Sequence, residues 1–208
     1  MVQRIERLRE SPSQTAGPYI HIGSNPNWVE ITGVWDADLG LKLLGDSAKG
    51  ERIVVEGRVI DGGAKPLTDA LVEIWQADAD GLYNSPREMR GKADPAFAGW
   101  GRQPTDAETG LFTFETIRPG RVPFPDGRLQ APHITLWIVA RGINLGLHTR
   151  LYFADEASAN AEDPVLQRIP DPSRAKTLLA ARGERSGLPL YTLDIHLQGE
   201  NETVFFDI

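Results

Sequence analysis

The sequence predicts a mostly β protein, an antiparallel β-sandwich with an irregular N-terminal arm and one or two short helices. Three observations favour this fold class. Short runs rich in β-branched residues alternate with turn signals from residue 52 onward. Residues 11–50 are rich in Ser, Pro, Gly and Asn and show no sustained hydrophobic period. Seven or more strands at such spacings are typical of a sandwich, so we expect an arm at 1–50 and a β-sandwich at 51–208, forming a single domain overall.

The strand predictions follow runs of Val, Ile, Leu and aromatic residues that end at Gly, Pro or Asp. These runs are 53–60, 70–75, 111–117, 133–140, 148–153, 190–197 and 203–208. One helix is predicted over 175–182, because Asp171-Pro172-Ser173 is a typical helix start and Gly183 a typical helix end.

Composition excludes several classes of function. The 22 Lys and Arg residues are scattered among 29 Asp and Glu residues, and the net charge is −7, so nucleic acids and anionic membranes are poor candidate partners. Cysteine is absent, which excludes disulfides, iron–sulfur clusters and cysteine nucleophiles. Residues 1–12 contain no apolar run of the length a signal peptide needs. A cytoplasmic location is therefore expected.

Sequence signatures of hydrolases, P-loop proteins, dinucleotide-binding proteins and zinc peptidases are missing. The histidines are His21, His133, His148 and His196. No two are spaced for a local metal pair, and a structural role bonded to backbone or solvent is expected for all except His133. That residue begins a predicted strand and shares a strand face with Thr135 and Arg141.

Five segments resemble the intradiol ring-cleaving dioxygenases, and in particular the alpha-type chains of the αβ members of that family. The segments are 13–19 (SQTAGPY), 72–78 (VEIWQAD), 116–120 (TIRPG), 140–144 (ARGIN) and 199–207 (GENETVFFD). Together they run nearly end to end along the chain. The resemblance implies a non-haem ferric ion, held by two tyrosinates and two histidines of a beta-type catalytic chain. Hard Fe(III) is stabilised by anionic phenolates, and two imidazoles at i and i+2 of a strand share one face.

The ligand positions carried over by this resemblance are incomplete in this chain. The two tyrosines fall on Tyr83 and Val122, and the two histidines fall on His133 and Thr135. An arginine of the iron-bearing chains falls on Gln130. A valine offers no oxygen, and a neutral hydroxyl is a poor substitute for imidazole. The resemblance therefore implies no metal and no catalytic residue in this chain alone, with Tyr83 and His133 left as relic positions.

The resemblance also implies a substrate-binding role in the active site of the partner chain. The residues concerned are Thr15, Gly17, Pro18 and Tyr19 of the arm, together with Arg141. Arg141 lies about 26 Å beyond His133 along an unbroken strand, too far to serve the relic position. The alternative is that the arm residues only shape a surface loop and that Arg141 makes an ordinary exposed ion pair.

The leading hypothesis is an enzyme subunit. It is the alpha partner of a beta-type, iron-bearing chain, and the assembly cleaves protocatechuate with O₂ to 3-carboxy-cis,cis-muconate in aromatic catabolism. Fe(III) is bound by the partner. Two alternatives remain open: a non-enzymatic β-sandwich binding module that needs no partner, and a self-sufficient homodimeric intradiol enzyme, against which Val122 and Thr135 argue.

Overall fold

The computed structural model describes residues 15–17, 19–144 and 146–207. The strands are β1 (Arg52–Ile60), β2 (Leu71–Trp75), β3 (Trp100–Pro104), β4 (Leu111–Ile117), β5 (His133–Val139), β6 (Leu147–Phe153), β7 (Leu179–Arg185), β8 (Leu188–Thr192) and β9 (Ile195–His196). The helices are α1 (Ile20–Ser24) and α2 (Ala157–Glu162), with 3₁₀ turns at Leu166–Arg168 and Pro172–Leu178.

The described strands form one mixed sheet in the order β3-β2-β5-β6-β7-β8-β1-β4, and β9 also pairs with β1. Strands β2, β5 and β6 are antiparallel neighbours, as are β1 and β4. The prediction of a purely antiparallel sheet is wrong, because β1 runs parallel to β8 and β9, and β6 runs parallel to β7. The chain crosses over between these strands instead of returning through a tight turn.

The sheet curls so far that its two end strands, β3 and β4, contact each other. A continuous apolar core fills the space inside and takes residues from both halves of the sheet, including Ile53, Phe114, Ile134 and Leu136. The prediction of a mostly β protein with few helices is confirmed. The described strands form one nearly closed sheet, however, and not two clearly separate layers.

The side chains of β5 alternate between the inner and outer faces of the sheet, and this alternation determines which of them are free of the core. Ile134 and Leu136 point into the core, so His133 and Thr135 share the outer face of the sheet. A second, smaller apolar cluster covers the outer face of β6, where Tyr152 packs with residues that follow α2, such as Leu166 and Leu178. The start of β5 therefore lies beneath a covered part of the outer face.

Five of the predicted strands agree with β1, β2, β4, β5 and β6 to within one residue at either end. The helix predicted over 175–182 is wrong. Its start is correct, since the Asp171 side chain accepts a hydrogen bond from the Ser173 N–H, but only a 3₁₀ turn follows. Strand β7 then begins at Leu179 and pairs with β8 across the two-residue turn Ser186-Gly187.

The segment 203–208 is also not a strand in its described part, where a single bridge joins Phe206 to His148. Its aromatic side chains pack on the chain itself: Phe205 against the main core and Phe206 against the smaller cluster. Ile208 lies outside the described residues.

The described part of the arm is irregular apart from α1. Near its end, Leu43 and Leu44 are buried in the main core, and Leu44 bridges to Phe97. The boundary at residue 50 stays a prediction. Among the described residues, none of the helices combines the length and the apolar character that crossing a membrane requires.

Candidate functional site

The arm and the end of β5 meet at Thr15. The Thr15 hydroxyl donates a hydrogen bond to the Ala140 carbonyl (3.0 Å) and accepts one from the Gly142 N–H (3.0 Å). Both partners flank Arg141, so one side chain of the arm fixes the turn that carries this arginine. The structure thus brings together residues that are far apart in the sequence and that the family resemblance assigns to one function.

Arg141 itself is exposed, with 71% of its side chain accessible. Its Nε lies 3.3 Å from Oδ2 of Asp69, whose side chain is 19% accessible. The ion pair is therefore open to water on the arginine side, where such pairs contribute about 0–1 kcal/mol. Most of the guanidinium remains available to an anionic ligand.

Asp69 is a neighbour of this cluster that sequence reasoning missed. Its carbonyl accepts a hydrogen bond from Nε2 of His21 (3.1 Å), and His21 is buried against Trp28 with ring centroids 4.7 Å apart. This contact agrees with the backbone-bonded role expected for His21. The sequence carries no local signal for it, because the segments around residues 21 and 69 meet only in the fold.

The other arm residues predicted to bind substrate are Gly17, Pro18 and Tyr19. Gly17 has a φ of +69°, a conformation that favours glycine, and a Cβ there would meet no atom within 4 Å. Tyr19 is 79% exposed. Pro18 lies outside the described residues. The Tyr19 side chain therefore faces solvent in the isolated chain.

The relic positions lie at the opposite end of β5. Tyr83 and Val122 line a cavity of about 350 Å³, together with Gln130 and Trp75. Trp75 pairs with Thr135 between β2 and β5, and its ring stacks on Tyr83 with centroids 5.8 Å apart and planes 2° apart. Since His133 shares the outer face with Thr135, the structure brings all four positions into one neighbourhood.

His133 is buried, and its Nδ1 lies 2.8 Å from the Ala131 carbonyl. A carbonyl only accepts, so Nδ1 carries the proton and the lone pair of the neutral ring is on Nε2. Burial, with the charge of Arg150 as a second cause, lowers the pKa of His133 to about 4. Burial also raises the pKa of Tyr83, which keeps its phenol protonated at neutral pH.

Arg150 stands directly opposite Thr135 on β6. Its Nη1 donates to Oε1 of Gln130 (2.8 Å) and to the hydroxyl of Tyr152 (3.1 Å). The family resemblance gives no role to this residue, and nothing near it in the sequence marks it. Only the cross-strand register shows that it lies among the relic positions.

The donor set at these positions does not fit Fe(III). Val122 has no donor atom, Thr135 offers a neutral hydroxyl, and the phenol of Tyr83 resists ionisation. A hard trivalent cation needs anionic oxygen ligands, of which this set supplies none at neutral pH. Across the part of the chain that the structure describes, no group of three or more His, Asp or Glu side chains is arranged to hold a metal ion.

Comparison with known proteins gives the family. A family model described as "Dioxygenase" matches residues 24–199, most of the chain. The chain belongs to the intradiol dioxygenase family. This dioxygenase chain is 46% identical, over 98% of both sequences, to the protocatechuate 3,4-dioxygenase alpha chain of Pseudomonas putida. It is also 37% identical to the protocatechuate 3,4-dioxygenase beta chain of Burkholderia cepacia, covering 98% of this chain and 84% of that one.

Solved structures agree with this assignment. The intradiol ring-cleavage dioxygenase from Tetranychus urticae is 25% identical and superposes with a TM-score of 0.55, covering 79% of this chain and 89% of that one. The curled sheet described above is thus consistent with the fold of intradiol dioxygenases.

Proposed function

We propose that this chain is the alpha-type subunit of an αβ protocatechuate 3,4-dioxygenase, in which a beta-type partner holds Fe(III) and this chain completes the substrate pocket. The observation that carries the proposal is the pair of Thr15 hydrogen bonds, which join the arm to the turn of Arg141 on an exposed surface. The names of the alpha-chain and beta-chain relatives support an αβ assembly.

The surface of the arm supports a partner chain. Eight of the ten exposed large hydrophobic side chains in the described residues lie between positions 19 and 41. They are Tyr19, Ile22, Trp28, Ile31, Val34, Trp35, Leu39 and Leu41. Exposed apolar groups concentrated in one segment are typical of a protein–protein contact. A beta-type chain lying against the arm would bury them and bring Thr15, Gly17, Pro18, Tyr19 and Arg141 to its active site.

In the proposed pocket, Arg141 binds the carboxylate of protocatechuate. The planar guanidinium can bond both carboxylate oxygens, which fixes the orientation of the ring. Thr15 holds the turn that presents Arg141. The partner's ferric ion supplies the binding of the two hydroxyl oxygens and the activation of the ring toward O₂. The proposal includes a cytoplasmic location, which remains a prediction.

Co-expression with a beta-type, iron-bearing chain tests the proposal. The purified complex should contain one iron for each αβ pair and should consume O₂ with protocatechuate, giving 3-carboxy-cis,cis-muconate. The chain purified alone should be colourless and free of stoichiometric iron. A coloured lone chain with one iron and full activity would support the homodimeric enzyme instead. A monodisperse lone chain that does not bind the beta-type chain would support the binding module.

A further inference from the structure

Asp69 lies on a well-anchored part of the backbone, beside the exposed Arg141. Its carbonyl accepts a hydrogen bond from Nε2 of the buried His21 (3.1 Å). The next residue, Ala70, is fully buried, and Thr105 bonds both its N–H (3.1 Å) and its carbonyl (2.8 Å). The backbone that carries the Asp69 carboxylate is therefore held from both sides.

The Arg141 side chain has less support than its backbone. The two Thr15 hydrogen bonds go to backbone groups before and after the arginine, so they fix where the side chain begins and not where the guanidinium points. A long exposed side chain samples many rotamers, and arginine loses much conformational entropy when a ligand orders it. The contact between Arg141 Nε and Asp69 Oδ2 (3.3 Å) acts on the guanidinium itself.

We propose that Asp69 is a positioning residue, whose carboxylate holds Arg141 by Nε so that the terminal nitrogens Nη1 and Nη2 are presented to the carboxylate of the substrate. This inference rests on the proposed function, because it requires Arg141 to bind a ligand carboxylate. The two terminal nitrogens can donate parallel hydrogen bonds to both carboxylate oxygens. Asp69 acts only through Arg141 and does not touch the substrate.

The charge of Asp69 and its positioning effect act on substrate binding in opposite directions. A negative charge beside Arg141 repels an anionic ligand, so by charge alone Asp69 weakens binding. Positioning strengthens binding, because ordering one long side chain only when the ligand arrives lowers affinity by roughly 2- to 12-fold. A partner chain covering the ion pair would exclude water and strengthen the contact. Removal of the carboxylate therefore changes affinity in opposite directions under the two mechanisms.

Anaerobic titration of the αβ complex with protocatechuate measures binding without turnover. The natural complex is compared with Asp69→Ala, which removes the acceptor, and with Asp69→Asn, which keeps an oxygen acceptor for Nε and removes the charge. Both changes leave the backbone carbonyl that His21 bonds. The control for loss of a negative charge is Asp126→Ala, which removes the carboxylate from another exposed arginine pair (2.8 Å). Iron content, assembly and thermal melting are checked for each variant.

Asp69→Ala should raise the Kd for protocatechuate by roughly 2- to 12-fold, with kcat nearly unchanged. Asp69→Asn should lie between the natural complex and Asp69→Ala, and Asp126→Ala should match the natural complex. Binding of catechol, which lacks the carboxylate, should be the same in all four, whereas a general structural defect would weaken it too. An unchanged or lower Kd for protocatechuate in Asp69→Ala, or an equal rise in Asp69→Asn, would overturn the proposal.

A double-mutant cycle with Arg141→Ala separates this proposal from the proposed function. In the Arg141→Ala background, Asp69→Ala should have no further effect on the Kd. If Arg141→Ala alone leaves the Kd unchanged, Arg141 does not bind the substrate carboxylate, and its role in the proposed function fails. If Arg141→Ala raises the Kd and Asp69→Ala adds the same factor with or without the guanidinium, only the positioning role of Asp69 is wrong.

Discussion

Thr15 holds Arg141 by both of its flanking residues: the Thr15 hydroxyl donates to the carbonyl before the arginine and accepts from the N–H after it. The contact joins the first described residue of the arm to the turn that ends β5. A single hydroxyl therefore couples the conformation of the arm to the position of the guanidinium, and the two can be tested separately by mutation.

Removing the guanidinium of Arg141 should weaken substrate binding more than it slows the chemical step. Truncating one member of a desolvated charge pair costs about 2–5 kcal/mol, so Arg141→Ala should lower kcat/KM for protocatechuate by roughly 30-fold to a few thousand-fold. The loss should lie mainly in KM, since a carboxylate remote from the reacting carbons is held equally in the ground and transition states. Arg141→Lys should recover only part of it, because an ammonium lacks the planar fork. Steady-state oxygen uptake by the αβ complex measures this.

Catechol, which lacks the carboxylate, is the control substrate for Arg141. Its turnover by the assembled complex should already be poor and should change little in Arg141→Ala. Iron content and assembly are checked for each variant. Equal losses with both substrates at full iron content would show that Arg141 has a structural role only.

Removing the hydroxyl of Thr15 should act through the position of Arg141. Each hydrogen bond contributes about 0.5–1.5 kcal/mol, so the loss of both should cost about 1–3 kcal/mol. Thr15→Ala should therefore raise KM for protocatechuate by roughly 5- to 150-fold and leave iron content unchanged. Thr15→Ser keeps the oxygen and is the matched control. In the double variant with Arg141→Ala, the effect of Thr15→Ala should largely disappear. Additive effects of the two changes would contradict the coupling.

A charge placed on the exposed apolar surface of the arm should weaken assembly without unfolding the chain. Val34 is 53% exposed, and Val34→Asp should lower the affinity for the beta-type partner by about tenfold or more, because a carboxylate would be desolvated in the contact. Met89, which is 90% exposed outside the arm, gives the control Met89→Asp. Sedimentation velocity gives the affinity, and thermal melting should be unchanged. If Val34→Asp and Met89→Asp weaken the affinity for the partner equally, the arm surface is not the contact.

Acid should destabilise the chain through His133. The folded-state pKa of about 4 lies below the ordinary value of 6.5, so the unfolded chain binds the proton more readily than the native chain. The free energy of unfolding should therefore fall by up to about 3 kcal/mol as the pH drops from about 6.5 to 4. His133→Gln removes this dependence. Urea denaturation at pH 7, 5.5 and 4.5 measures the free energy of unfolding at each pH. If this free energy falls equally with pH in the natural chain and in His133→Gln, the burial of a neutral imidazole is contradicted.

Local patterns were sufficient to predict β1, β2, β4, β5 and β6, which carry much of the main core, but not β3 or β7. β1, β4 and β5 combine runs of β-branched residues with clear turn residues at their ends. The hydrophobic pattern and the turn residues therefore predict the same strand boundaries. The sequence also placed His133 and Thr135 on one face of a strand, because side chains alternate strictly along it. The segment before β8 was misread as a helix because Gly183 was taken as a helix end. The Ser186-Gly187 pair, with φ of +53° and +83°, is the signal that indicates a hairpin.

The contacts that complete the two sites could not be predicted from one sequence. Asp69 reaches Arg141, and Arg150 reaches the relic positions, only because strands distant in the sequence pair in a particular register. Nothing in a local pattern specifies which residue of β6 faces Thr135. Only the fold supplies this information.

The placement of His133 at the start of β5 and of Arg141 in the turn just after its end has an evolutionary consequence. A rigid strand separates the two ends, so substitutions that abolish metal binding at one end leave the other end unaltered. When two related chains assemble, selection can then preserve the ligand positions in one chain and the arginine turn in the other. Divergence of one ancestral chain into two specialised chains would need no new fold, only the independent loss of one end in each.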